Sequence, residues 1–238
     1  MKADLKVLSK MKLTEPQIED LYAFTRQHFV EHYDLQTELV DHLANDIETQ
    51  WQKQPKLSFE DAKNKAFKKF GVFGFMDAIE QRQKTMNKRY RYYLWRELKQ
   101  WFKLPQIIAT ITLFVLIYFA LASSYVKLFS ISLYVFVALW CMVKGFILHR
   151  KFIKRRKMTN KKWLLEELIF KQAGYVSFLF LLHLQNIFIL NDSVKSVYGL
   201  LFMSLLFTVL MLINYISFEV IPNKAEELLK DTYPQFSM

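Results

Sequence analysis

The sequence is poor in the residues that make turns and cross-links. It contains 5 glycines, 5 prolines and a single cysteine, Cys141, in 238 residues. One cysteine excludes a disulfide framework within the chain, and so few turn-forming residues argue against a fold built from short strands. Long side chains are abundant instead, since 53% of the residues are apolar and 16% are aromatic. This composition favours an all-α fold.

Acidic residues are missing from four long apolar stretches in the second half of the chain. These stretches are residues 104–126, 128–149, 170–191 and 196–218. A helix of about 20 apolar residues crosses the ~30 Å hydrocarbon core of a bilayer. Four successive buried helices of a soluble protein are the competing interpretation, but they would leave no polar face for water. The sequence therefore predicts a cytoplasmic helical domain over 1–103, a bundle of four transmembrane helices over 104–221 and a cytoplasmic tail over 222–238.

Lysine and arginine are concentrated on one side of the predicted spans. The loop between the second and third spans carries a basic cluster, consisting of Arg150, Lys151, Lys154, Arg155, Arg156, Lys157, Lys161 and Lys162. The segment before the first span is also basic, whereas the charged residues of the other two loops are Lys127 in one, and Asp192 and Lys195 in the other. Because positive residues accumulate on the cytoplasmic side, both termini are predicted to lie inside the cell. The basic cluster also predicts contact with the anionic headgroups of a lipid bilayer.

Few polar side chains lie inside the predicted spans. They include His183, Gln185 and Asn186 in the third span and Asn214 in the fourth. His183 and Asn186 are spaced i and i+3, so they share one face of a helix. We favour hydrogen bonds between helices as their role. A polar pathway or a ligand site is the alternative.

The first 103 residues predict about four helices, of which two lie before residue 54. Thr14 and Gln17 form the start of the first helix, which carries Phe29 on its apolar side and ends near Glu31. The second helix covers residues 34–53. Its apolar residues recur at i+4 spacing, and they are Leu35, Leu39, Leu43, Ile47 and Trp51.

Two further helices are predicted before the first span. Ser58, followed three residues later by Asp61, caps a third helix that stops at Gly71. A fourth helix is expected to begin near Phe75 or Met76 and to continue toward Lys103. The cytoplasmic half is therefore expected to fold as a small helical domain.

The second helix carries a candidate metal site. Glu38, Asp41 and His42 are spaced i, i+3 and i+4, so they face one side of the helix. His28 and His32 on the first helix are possible further ligands, because a metal site needs ligands from more than one element. We favour the alternative that these are charge-paired surface residues, and we predict no bound cofactor.

The same region resembles a known helical module. The motifs that carry the resemblance are Tyr33-Asp34, Glu38-Leu39-Val40-Asp41-His42-Leu43, Asp46-Ile47-Glu48, Leu57-Ser58-Phe59-Glu60-Asp61-Ala62, Phe67 and Phe70-Gly71. Over about residues 30–83 the chain resembles the HAAS domain, the helix-turn-helix-associated alpha-helical signalling domain. The resemblance implies a multi-pass protein of the bacterial cytoplasmic (inner) membrane that acts with a PadR-type transcriptional regulator. It also explains the acidic and histidine residues as a packing signature.

Catalytic patterns do not accompany these features. The sequence has no Ser-His-Asp arrangement, no HExxH motif and no phosphate-binding glycine loop, so we predict that the protein is not an enzyme. It also has no pattern for direct contact with nucleic acid. We expect a non-enzymatic signalling or regulatory component whose residues 1–103 dock a protein partner, and an oligomer is compatible with this role. The alternative is a small transporter or a permease accessory subunit.

Overall fold

The computed structural model of the protein describes residues 12–159, 161–171, 196–233 and 236. Within these residues the chain forms helices and no strand, which confirms the predicted all-α class. The chain divides into two compact units. The first unit is Met1–Met86 with Lys161–Leu164, and the second is Asn87–Asn160 with Leu165–Met238.

The helices of the first unit are joined by short turns. They are α1 (Glu15–Gln27), α2 (Tyr33–Lys53), α3 (Phe59–Lys68) and the first part of α4 (Met76–Gln100). The helices that follow are α5 (Gln106–Ala122), α6 (Val126–Thr159), α7 (Leu164–Lys171), α8 (Val197–Tyr215), a π-helical turn (Ile216–Val220), α9 (Ile221–Asn223) and α10 (Ala225–Thr232).

Helix α1 begins as predicted but ends four residues early. The backbone N–H of Thr14 donates to Gln17 Oε1 at 2.9 Å, which fixes the start. At the other end the N–H of Val30 donates to the carbonyl of Thr25 at 3.1 Å, so the helix closes in a Schellman turn. Phe29 occupies the left-handed position of this turn with φ 64° and is 81% exposed. The prediction that Phe29 lies on the apolar side of this helix is therefore wrong, and Val30 is buried instead.

The core of the first unit forms around the apolar stripe of α2. All five residues predicted from the i+4 spacing are buried, with Leu43 and Ile47 fully enclosed. Ser58 Oγ accepts a hydrogen bond from the N–H of Asp61 at 3.1 Å, which confirms the predicted cap of α3. Phe75 closes the core just before α4 and is 2% exposed.

Among the described residues of the second unit, two helical stretches are long and apolar enough to cross a membrane. These are Val126–Thr159 and Val197–Asn223, each with a mean hydropathy of 2.1 in its most apolar window. Only 17% and 39% of these windows are buried within the protein. The predicted first span corresponds to the shorter apolar helix Gln106–Ala122. Most of the predicted third span lies outside the described residues.

Helix α6 extends well past the predicted end of the second span. The prediction placed a loop after residue 149, but the helix continues to Thr159. Residues 146–159 contain no glycine or proline that would end it. The cations of the basic cluster from Arg150 to Lys157 therefore lie on a helix, and the predicted loop there is wrong.

The predicted tail contains a packed helix. In α10 the side chains of Leu228 and Leu229 are buried. Tyr233, just beyond α10, accepts a hydrogen bond through its hydroxyl from the N–H of Leu165 at 3.1 Å. Tyr93 of α4 donates a hydrogen bond to Asp231 at 2.9 Å. The end of the described chain is thus tied to α4 and α7 within the second unit.

Candidate functional site

The first unit contains a buried carboxylate, Asp34, with polar contacts to two distant parts of the sequence. The side chain of Asp34 is 2% exposed. Its Oδ2 accepts a hydrogen bond from Arg82 Nε at 3.2 Å, and its Oδ1 accepts one from the backbone N–H of Leu164, also at 3.2 Å. Because a buried charge is stable only when it is paired and hydrogen-bonded, these contacts hold α2, α4 and Leu164 together.

The linker segment, Lys161–Leu164, is bound to α2 by further contacts. The N–H of Tyr33 donates to the carbonyl of Lys162 at 2.7 Å. The ring of Trp163 meets that of Tyr33 edge to face, with centroids 5.3 Å apart, and the ammonium of Lys161 lies 4.2 Å from the centre of the Tyr33 ring. Lys162 also pairs with Glu31. The linker segment is therefore an integral part of the first unit.

The candidate metal ligands on α2 are not grouped around a common point. Glu38 Oε2 lies 3.3 Å from Arg82 Nη1, so it joins the Asp34 network. Asp41 and His42 are exposed. Within the described part of the chain, no group of three or more His, Cys, Asp or Glu residues is arranged to hold a metal ion.

The histidines of the preceding segment do not complete a metal site on α2. The ring of His28 packs between aromatic rings, with centroids 4.2 Å from Phe24 and 4.4 Å from Phe67. Its Nδ1 is hydrogen-bonded to the carbonyl of Phe24 at 2.8 Å. His32 occupies the N-cap position of α2. The structure thus explains His28 as a packing residue of the aromatic core.

The basic cluster is divided between the two units. Lys161 and Lys162 belong to the first unit, whereas the cations from Arg150 to Lys157 belong to α6 in the second. On α6, Arg155 is the partly buried member of the cluster, and its Nε donates to Glu166 Oε1 of α7 at 2.7 Å. The exposed members on α6 are Arg150, Lys151, Lys154, Arg156 and Lys157.

An ion pair between the two candidate spans was missed by the sequence analysis. Lys144 of α6 pairs with Glu219 on the π-helical turn after α8. The Lys144 ammonium also lies 5.0 Å from the centre of the Trp140 ring. Glu219 stands one residue beyond the predicted end of the fourth span, and Lys144 lies within the predicted second span, so the sequence offered two opposite charges near the ends of predicted spans as a signal. π-helical turns are frequent at functional sites.

An apolar cavity of about 250 Å³ lies between α6 and α8. Its lining residues are Leu133, Phe136, Val137, Trp140, Phe207, Leu210, Met211, Asn214 and Tyr215. Asn214 is the predicted intramembrane polar residue that the structure describes; His183, Gln185 and Asn186 lie outside the described residues. Its Nδ2 donates to the carbonyl of Leu210 at 3.0 Å, and its Oδ1 accepts from Cys141 Sγ at 3.6 Å. The contact with Cys141 joins α8 to α6, whereas the contact with Leu210 lies within α8.

A buried lysine on α3, Lys63, forms ion pairs within the first unit. Lys63 Nζ donates to Asp20 at 2.6 Å and to Glu60 at 3.0 Å, and its side chain is 8% exposed. Burial alone would lower the pKa of Lys63, but the two carboxylates outweigh it and the pKa is raised. The ammonium also lies 5.3 Å from the centre of the Phe24 ring. This network ties α1 to α3.

A comparison of the chain with models of known protein families, with curated proteins and with solved structures finds no match.

Proposed function

We propose that this chain is a non-enzymatic signalling or regulatory protein of a membrane, whose first unit docks a protein partner. The supporting observation is the network around Asp34, through which α2 holds the linker segment. In sequence the linker segment follows α6, a candidate membrane span, and its last residue, Leu164, begins α7. A partner that changes the surface of α2 therefore acts on the residues that join these two helices.

The proposed arrangement in the membrane is four spans with both termini in the cytoplasm. The two candidate spans, the apolar helix α5 and the apolar sequence 170–191 support it. Single cysteines introduced in a Cys141→Ala background test it by labelling with an impermeant maleimide on intact cells. We expect labelling of Lys127→Cys and of Asp192→Cys, and protection of Thr159→Cys. Labelling of Thr159→Cys with protection of the other two positions would show that the topology is the reverse of the one proposed.

The resemblance to the HAAS domain supports a transcriptional regulator of the PadR type as the partner, or another membrane protein. Val72 is 97% exposed on the first unit, and a photo-crosslinking residue there, in the full chain in its native membrane, tests the proposal. The matched control is the same residue at Tyr125, which is 75% exposed in the second unit. We expect a regulator or membrane protein to be captured at Val72 but not at Tyr125. Equal capture at both positions, or capture of lipid alone, would contradict docking by the first unit.

The ion pair of Lys144 with Glu219 favours a second candidate, a small transporter or a permease accessory subunit. Charged groups within spanning helices often mark ion or proton pathways. The test is proton flux into proteoliposomes that contain the full chain and a pH-sensitive dye. Transport predicts flux that Glu219→Gln abolishes. Proton flux no faster than in empty vesicles would reject transport and leave signalling as the remaining candidate.

A further inference from the structure

Helix α6 is longer than a bilayer is thick. Its 34 residues make a rod of about 51 Å at a rise of ~1.5 Å per residue. The apolar part from Leu128 to Leu148, which has the single charge Lys144, is about 31 Å long and matches the ~30 Å hydrocarbon core. If α6 spans the membrane as proposed, the last eleven residues extend about 16 Å past its surface. We call these residues, 149–159, the α6 extension.

The α6 extension has two different sides. Leu148, Phe152 and Arg155 are spaced i, i+4 and i+7, so they share one face. Leu148 and Phe152 are buried at 5% and 2% exposure, and Arg155 is bonded to Glu166 of α7. This face is covered by protein.

The opposite side of the α6 extension is open and cationic. Arg150, Lys154 and Lys157 follow the same spacing two residues later, which places them about 200° around the helix from the covered face. All three are exposed. Residues 146–159 contain no Asp or Glu, so no acidic residue of the helix neutralises this stripe.

The stripe is arranged to meet the membrane surface. Helical side chains lean toward the N-terminus of their helix, and in α6 this is the direction of the apolar part. The stems of Lys154 and Lys157 therefore point back toward the headgroups. Arg150 lies next to the apolar part, with its guanidinium 4.4 Å from the centre of the Phe146 ring. Arginine and lysine side chains are strong partners for phosphate oxygens.

We propose that Arg150, Lys154 and Lys157 form a docking surface for the phosphate headgroups of anionic phospholipids in the adjoining leaflet. The proposal rests on the membrane insertion proposed above. It goes beyond the ordinary bias of positive charge toward the cytoplasm, because it assigns lipid selectivity to one face of one helix. Arg155, on the covered face, has no part in it.

The experiment uses the full-length chain in nanodiscs that contain phosphatidylcholine with phosphatidylglycerol. The enrichment of phosphatidylglycerol around the protein is measured by energy transfer to labelled lipid. We compare the wild type with Arg150→Gln/Lys154→Gln/Lys157→Gln. A matched control, Lys53→Gln/Lys56→Gln/Lys65→Gln, removes the same charge from exposed positions of the first unit. Carbonate extraction of native membranes is done first, so that failure of insertion is distinguished from failure of lipid selectivity.

The stripe variant is expected to lose enrichment by up to roughly five-fold for each cation removed, while the control keeps it. The wild-type enrichment should also fall at high salt, because salt screens charges at the membrane surface. If the protein inserts but the stripe variant keeps the wild-type enrichment, the proposal is overturned. An equal loss in the control variant, or enrichment that survives high salt, overturns it as well.

Discussion

Asp34 accepts a hydrogen bond from the backbone N–H of Leu164 at 3.2 Å, although 130 residues separate them in the sequence. Leu164 is the first residue of α7, and the first N–H groups of a helix have no acceptor within the helix. The carboxylate of Asp34 thus supplies an acceptor for the N–H of Leu164. This contact connects the fold of the first unit to the structure of the linker segment.

Replacing Asp34 should release the linker segment. Asp34→Ala removes the acceptor for Leu164 and leaves Arg82 without its buried partner, which should destabilise the first unit by about 1–3 kcal/mol. We expect faster hydrogen exchange at the amides of the linker segment and faster tryptic cleavage after Lys161 and Lys162. The control is Asp41→Ala on the exposed side of α2. Equal exchange rates in the two variants would show that Asp34 does not hold the segment.

The pair of Lys144 with Glu219 should stabilise the contact of α6 with the π-helical turn. The two side chains are only partly exposed, at 26% and 35%, so removing one partner leaves a poorly hydrated charge without its counter-charge. The double variant Lys144→Gln/Glu219→Gln should therefore be less destabilised than the sum of the two single variants. A double-mutant cycle on unfolding in detergent should give a coupling of about 1–3 kcal/mol. The exposed pair Lys230 with Glu226 on α10 is the control. The coupling energy of this control pair should be about 0.3–0.5 kcal/mol. Additive effects of the two substitutions at Lys144 and Glu219 would contradict the prediction.

The part of the fold that depends on local spacing could be predicted from the sequence. Leu39 and Leu43 are buried as the i+4 pattern indicated, because one face of an amphipathic helix is set by residues only a turn apart. Phe29 was assigned to the apolar side of α1 because the helix was expected to continue to about Glu31. The pattern does not show that the helix closes one turn earlier, with a phenylalanine in a position that glycine usually occupies.

Contacts between distant residues were beyond sequence reasoning. Lys144 and Glu219 lie 75 residues apart, and Asp34 and Leu164 lie 130 apart. Neither pair follows a helical spacing, so composition and periodicity say nothing about them. The length of α6 was underestimated for another reason, since the basic residues after position 149 were taken to mark a loop. Charge marks the exit from a membrane, and it does not end a helix.

The turn before α4 should tolerate alanine less well at Gly74 than at Gly71. Both glycines have positive φ, 81° at Gly71 and 55° at Gly74, so either alanine adopts a strained backbone. At Gly74 a Cβ would also lie 2.9 Å from Cζ of Phe67, whereas at Gly71 nothing lies within 4 Å. Gly71→Ala should therefore cost about 1–3 kcal/mol, and Gly74→Ala more. Hydrogen exchange of the α3 amides measures the stability of the two variants. Equal losses of stability in Gly71→Ala and Gly74→Ala would count against a clash with Phe67.

The buried Lys63 should make the first unit sensitive to alkaline pH. Its pKa in the folded protein is raised above the ordinary value of 10.5, because hydrogen bonds to Asp20 and Glu60 outweigh the opposing effect of burial. The folded state therefore holds this proton more tightly than the unfolded state does. The resulting stability is fully present below about pH 10.5 and is lost as pH rises through the folded pKa.

Lys63→Met isolates this effect, since methionine keeps the apolar contacts of the lysine stem and removes the ammonium. At neutral pH the variant should be less stable by about 1 kcal/mol, because it loses two charged hydrogen bonds whose acceptors are exposed to water. Hydrogen exchange of the α1 and α3 amides is measured in both proteins from pH 7 to above pH 11. It gives the difference in stability between wild type and variant at each pH. Tyr22 also has a raised pKa, caused mainly by burial, but it is present in both proteins and cancels in the comparison. The stability difference should shrink above pH 10.5. A difference that stays constant would mean that the network of Lys63 contributes packing and no charge pairing.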